Sequence, residues 1–281
     1  MSIRKRFRLF FNVIAMVAVL VLAKAAIHNF GLEFLELDVF FPSVVASSIF
    51  IIGFLLSSIL PDYKESERMP AEIRTALEGI HDDAEAFAWK SPNFDIAGLR
   101  KTLAGIVIAL ESGLGAKGEH SDLAGAIAEV DRLSVAFAEL ERLGMTPNFV
   151  VRLRGEQDAL RKCLYRIYYV QKMQFLPSVH VLIQTLVVAT IFLLLFLQTE
   201  GSPGSAFVFG FVSYMFVYAL HLIKVLEQPF RKQEHSVDDV SFFVLREFVD
   251  KMGHAQSPEP QYSTVEAKAP VQKLQSGARP R

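Results

Sequence analysis

An all-α integral membrane protein is the fold class this chain predicts, with four transmembrane helices and a helical cytoplasmic domain inserted between spans two and three. Three observations carry that expectation. Four long apolar runs fall at residues 9–27, 40–60, 176–197 and 206–226, each close to the ~20 residues an α-helix needs to cross a hydrocarbon core. The short loops within each pair, residues 28–40 and 198–205, hold Glu33, Glu36, Asp38 and Glu200 but no lysine or arginine. The opposite flanks carry Arg4, Lys5, Arg6 and Arg8, then Lys64 and Arg68, then Arg166 and Lys172, then Lys224, Arg231 and Lys232. Basic residues favour the cytoplasmic side, so both termini and the central segment are expected in the cytoplasm. The basic N-terminal flank fits a multi-pass protein of a bacterial inner membrane.

The 281 residues are 52% hydrophobic with a net charge of −1. The apolar share exceeds the ~45–50% of a soluble domain, and the excess sits in the four runs. No dominant basic field is present, so nucleic acid is not an expected partner. Cys163 is the single cysteine, which excludes an intramolecular disulfide and a thiolate metal cluster. A lone thiol of this kind reads as a small buried residue.

Residues 1–60 form the first unit, a basic flank and a transmembrane hairpin. The first run also has the layout of a secretory signal. Arg4 to Arg8 would be its basic region, residues 9–22 its apolar region, and Ala23-Lys24-Ala25 a small-x-small cleavage site. Cleavage there would leave only a short stub before the next span, which favours a retained helix. Lys24, near the outer end, is expected to send its ammonium to the interface and keep its methylenes in lipid.

Residues 61–175 are long enough to be a domain, and every signal in them is helical. Met69-Pro70 opens one stretch, where proline suits the first turn; Ile73, Leu77, Ile80, Ala84 and Phe87 recur at helical spacing. Ser91-Pro92-Asn93 breaks the pattern. Asp95 caps a second stretch through Leu99, Leu103, Ile106 and Leu110. A turn at residues 115–119 follows, and Ser121 is expected to cap a third stretch bearing Leu123, Ile127, Val130, Leu133 and Phe137. Gly144 ends it, and Thr146-Pro147 starts another as N-cap and N1. From Pro147 no turn signal intervenes before the third run, so one long helix is expected to project from the membrane, kinked at Pro177.

Residues 176–226 are the second hairpin. Residues 227–252 follow as a cytoplasmic segment, in which Val240, Phe243, Val244 and Phe248 form an apolar stripe along residues 237–252. Residues 253–281, rich in Pro, Ser, Gln and Ala, are expected to be a disordered tail.

Catalysis has little to stand on. His81-Asp82-Asp83 carries ligand types that suit divalent cations, but no second histidine sits at ligand spacing, and a solvated helix face explains it better. No glycine-rich phosphate loop, nucleophile elbow or nucleophile–base pair is present. Neither a cofactor nor a metal is expected, and the chain does not read as an enzyme.

The spans say more, because polar groups at bilayer depth normally face protein or water. Ser43, Ser47, Ile51, Phe54 and Ser58 follow at four, four, three and four residues, along one stripe of the second span. His180 and Gln184 share a face on the third, and Tyr214, Tyr218 and His221 on the fourth. One reading is an aqueous path in which hydroxyl and ring donors replace part of an ion's hydration shell. The other is close helix packing by small residues, with Tyr and His at the interface. His180 and His221 lie near the cytoplasmic interface, which favours packing for both.

The chain resembles the bestrophins and their bacterial relatives. The likeness rests first on layout: four spans, cytoplasmic termini and a helical insert between spans two and three. Locally, Gly53-Phe54-Leu55-Leu56-Ser57-Ser58, with Glu65 and Arg68 beyond, resembles the family's Gly-Phe-Arg run and the Glu/Arg-bearing helix after it. Leu226-Glu227-Gln228-Pro229-Phe230 resembles its Glu-x-x-Pro-Phe stretch, with Asp238-Asp239 downstream. The layout covers residues 40–252. Leu55 stands where relatives often have arginine, the aromatic cluster after it is missing, and Arg231-Lys232-Gln233 replaces the glycine and acidic run that bind calcium in animal bestrophins. The resemblance implies a homo-oligomer, a pentamer, in the lipid bilayer, with five second spans around a pore for a monovalent anion such as chloride. Ile51, Phe54 and Ser58 would then line the neck and Ser47 would lie toward the outer mouth. The competing expectation is a non-conducting scaffold or sensor, acting on an unidentified cytoplasmic protein through its helical domain.

Overall fold

The computed structural model describes residues 8–36, 40–114, 120–172, 177–230 and 239–254, and these contain eight helices and no strand longer than an isolated bridge. They are α1 (Arg8–Asn29), α2 (Phe40–Ala88), α3 (Ile96–Gly113), α4 (His120–Arg142), α5 (Pro147–Lys172), α6 (Pro177–Phe196), α7 (Pro203–Leu226) and α8 (Phe243–His254). Three of them, α1, α2 and α7, are long and apolar enough to cross a membrane, and a shorter apolar helix covers His180–Phe196.

The largest departure from expectation is α2. Its 49 residues run unbroken from the second apolar run into the polar module, with Pro61 and Pro70 inside it. At 1.5 Å per residue it is about 74 Å long, more than twice a hydrocarbon core. Pro70 therefore does not begin a helix. An interior proline costs ~3 kcal/mol, and each large apolar side chain taken from water returns ~1.5–3 kcal/mol. Met69, Ile73, Leu77 and Ile80 are all buried downstream of Pro61, so packing outweighs the two prolines. The boundary drawn at residue 60 falls inside a single rigid element.

Two apolar cores form along α2. In the first, Ile52 and Ile59 meet Ile183 and Val187 of α6 and Phe216, Ile223 and Leu226 of α7. In the second, the far half of α2 packs with Leu103 and Leu110 of α3, Val130 and Phe137 of α4, and Leu153 and Leu160 of α5. Helix α1 lies against α7, where a Cβ at Gly210 would stand 3.4 Å from the Val21 side chain.

Local signals account for several ends. The Asp95 carboxylate accepts from the Gly98 amide at 2.8 Å and caps α3. Gly144, at φ +94°, supplies the left-handed turn after α4. Helix α4 begins at His120, and the turn expected at 115–119 lies outside the described residues. So does the junction 173–176, and with it the continuity expected from α5 into α6. Helix α8 folds back on α2 and α3. Its buried side is Phe242, Leu245, Phe248 and Met252, whereas Phe243 is exposed. Of the expected stripe, Val240 and Phe248 are buried and Val244 packs against the same core, so Phe243 alone of the four departs from it. The tail expected to be disordered is described only at Gly253 and His254, which still belong to α8.

Candidate functional site

Among the described residues one face of α2 is left uncovered, as are outward faces of α1, α6 and α7. Ser43, Ser47, Phe54 and Ser58 are exposed on the α2 face, and Ile51 is half-buried at its edge. Phe50 is 74% exposed and Phe54 67%. Phe50, missed by the serine-led stripe, sits three residues after Ser47 and four before Phe54, on the same helical line. Pro61, Glu65 and Arg68 continue that line beyond the apolar part and are exposed as well. The opposite face is spent on packing. Ser48 is buried, donates to the Val44 carbonyl at 2.8 Å and meets Thr190 of α6 at 3.2 Å. The serines of the second run thus divide into one that joins helices and several that remain open.

Helices α6 and α7 stand behind this face. His180 approaches Glu227 at 3.4 Å, while Gln184 and Thr185 edge a shallow apolar groove of about 740 Å³ with Val188, Phe192 and Leu220. Tyr214 and Tyr218 stack at 5.6 Å, and His221 meets the Val217 carbonyl at 2.9 Å. These rings are engaged in packing within the protomer. The structure does not bring the His180 and Tyr214 stripes together with the face of α2.

A polar cluster braces the ends of the two hairpins. Lys24 is only 6% exposed, its ammonium held among protein groups. It pairs with Glu33 at 2.6 Å and donates to the carbonyls of Leu195 and Leu197. Glu33 also accepts from the Thr199 amide at 3.0 Å and its hydroxyl at 3.2 Å, with His28 at 3.2 Å. Alongside, Leu35 and Leu197 form a parallel bridge. Gly201 has φ +67°, and a Cβ there would run into the His28 ring. Burial works to raise the Glu33 carboxyl, but the bonds from Lys24, Thr199 and His28 prevail and hold it at about 2. The short acidic loop, notable in the sequence for its acids and its lack of cations, supplies the partner that a buried lysine needs.

The His81 cluster is occupied by a guanidinium. Arg100 donates to His81 Nε2 at 3.2 Å and pairs with Glu85 at 2.5 Å, and Asp82 meets His81 Nδ1 at 3.1 Å. His81, Asp82 and Glu85 have donor atoms close enough for one ion, but Asp83 points to Arg152 instead. A cation already lies among them, which suits a structural ion-pair network.

Cys163 lies between α5 and α2, where burial, and then Glu72, push its thiol up to about 11. Its alkylation at pH 8 is expected to run roughly a hundredfold slower than that of a free cysteine. Mass spectrometry of intact protein during timed iodoacetamide exposure checks this; labelling at the free-thiol rate would show that the thiol is not held in this way.

No protein-family model matches the chain, and no curated protein does. Solved structures do match. A single-substitution variant of a bacterial bestrophin homologue from Klebsiella pneumoniae superposes with a TM-score of 0.70 at 12% identity, over 89% of this chain and 99% of that one. A second variant of a bacterial bestrophin homologue from the same organism gives 0.66 at 16% identity, over 88% and 98%. A crystal structure described as a membrane protein gives 0.65 at 16% identity, over 90% and 100%. The chain therefore has a bestrophin-like fold along nearly its whole length, as its layout led one to expect.

Proposed function

We propose that this protein is the subunit of an oligomeric, bestrophin-like channel for monovalent anions, with α2 facing the ion path. The observation that carries the proposal is the uncovered face of α2. It presents hydroxyls and two bulky rings in a part of the chain long and apolar enough to cross a membrane. Ser47 stands toward one mouth, and Phe54 and Ser58 lie farther along; Phe50 joins Phe54 as the constriction, and Ile51 flanks it. Rings of this size narrow a path and shed water, while hydroxyls and helix-end dipoles replace part of an ion's shell. Copies arranged about an axis would cover this face, and a closed ring of five is the arrangement proposed. The groove on α6 offers apolar surface for a neighbouring copy. In this reading the chain spans a bacterial inner membrane four times. Both termini and the module of α3, α4 and α5 lie on the cytoplasmic side, and α2 joins pore to module as one rod. Likeness to proteins described as bestrophin homologues supports the same assignment.

A second reading has one observation in its favour. No basic side chain lies on the α2 face between Ser43 and Pro61, so anion preference has no fixed charge there. The chain would then be a membrane-anchored scaffold acting through its helical module.

Two measurements on the full-length protein separate these readings. Native mass spectrometry from mild detergent is expected to give a closed ring, and liposomes are expected to pass chloride faster than sodium or potassium. A well-folded ring that passes no ion above empty liposomes would rule out the open-channel reading. A monomer or dimer would favour the anchor.

A further inference from the structure

We propose that Glu227 is a proton-operated catch at the end of α7, which holds more firmly against α6 as the surrounding solution acidifies. The site is built at a helix terminus. Glu227 is the C-cap of α7, and its amide donates to the Ile223 carbonyl at 2.9 Å, so its position is set by the last turn. Its side chain is 12% exposed. One carboxyl oxygen stands 3.4 Å from His180 Nδ1, long for a charge-assisted bond. The other is buried and has no hydrogen-bond partner among the described residues.

The charged surroundings are sparse. His180 comes from α6, and Lys224 lies one turn back on α7. His221, also on α7, turns its Nδ1 to the Val217 carbonyl. Helix α2 brings Ile59 and Tyr63 to the same packing, while its acids Asp62 and Glu65 turn to Arg166 of α5. A carboxylate buried with one distant partner and one lone oxygen is costly. A proton entering the pair removes that cost. Taken up by the carboxyl, it leaves a neutral group at the end of α7 and no charge stranded there. Burial pushes the Glu227 carboxyl above its ordinary 4.5, against the opposing pull of His180 and Lys224. With the folded value raised, the stabilisation is complete below 4.5 and is lost as pH rises through the folded value. Tightening on acidification is therefore the required sign. The catch does not depend on ion passage.

Thermal unfolding of the full-length protein in detergent, from pH 4.5 to 8.5, tests it against Glu227→Gln, which mimics the protonated group. The two melting curves are expected to coincide at the acid end. Above it the wild type should fall below the variant, by roughly 3 °C at pH 8.5. Infrared difference spectra on the same shift should show a protonated-carboxyl band in the wild type that the variant lacks. In His180→Gln the midpoint of that band should move to higher pH, because a neighbour that favours the carboxylate is gone. Parallel melting profiles, or no carboxyl band above pH 5, would overturn the catch. Should Glu227→Gln fail to fold, the band and its response to His180→Gln still decide the matter.

Discussion

Alanine at Phe54 is expected to raise ion flux through full-length protein in liposomes about tenfold, a barrier lowered by ~1.4 kcal/mol. The argument starts from exposure. A phenyl ring 67% open on an isolated protomer contributes little to that protomer's packing, so its removal should leave the fold intact. Several copies of the ring around one axis would instead form an apolar constriction, which resists ions by excluding water. Phe50, more exposed still, should act in the same direction. Ile52 provides the contrast. It faces the other way, into the core between α2, α6 and α7, so Ile52→Ala should cost about 2–5 kcal/mol of stability without widening the path. Measured side by side, the three variants separate a pore-lining role from a packing role. Unchanged flux in both phenylalanine variants of a conducting channel would move the ion path away from α2.

Lys24→Ala is expected to be the most destabilising single change, at about 3–5 kcal/mol. The ammonium is held by Glu33 and by two carbonyls at the end of α6. Its loss strands a buried carboxylate and frees the loop after α1 from the loop after α6. The double change Lys24→Met with Glu33→Gln should recover much of the loss, because no uncompensated charge remains. Thermal unfolding in detergent gives both numbers, and a double variant no better than Lys24→Ala would show that the pair is not what holds the hairpins. Glu33 also sets a pH dependence opposite in sign to that of Glu227. Its carboxyl is held at about 2, below the ordinary 4.5. The stabilisation is therefore present above 4.5 and disappears as pH falls toward 2. Glu33→Gln should flatten that acid limb of the melting profile.

Much of the helical layout was legible because apolar runs and caps are local signals. The run at 9–27 is contained in α1 and 176–197 in close register with α6, and Asp95, Gly144 and Pro147 mark the ends they were expected to mark. Where the reading slipped, the deciding term was non-local. Pro70 looks like a helix start by propensity, yet it lies inside α2 because both sides of it are buried against other helices. Phe243 looks like part of the α8 stripe, yet it stays exposed while Phe242 beside it is buried. Lys24 reads as an interfacial lysine, but its partners, Glu33 nine residues on and the carbonyls of Leu195 and Leu197, are set by the fold. On α2 the serine spacing located the open face, but Phe50 at its centre drew no notice because an aromatic in an apolar run carries no polar signal.

The sequence by itself determined that the protein is helical and where its apolar helices lie. Those properties depend on composition and on periods of three to four residues, which are written along the chain. Tertiary structure alone decided that α2 is a single rod linking the apolar helices to the polar module, which of its faces stays open, and which charges are buried together. Those outcomes depend on residues far apart in the chain competing for the same buried space. Lys24 with Glu33, Glu33 with Thr199, and His180 with Glu227 are partners only because the fold brings them together.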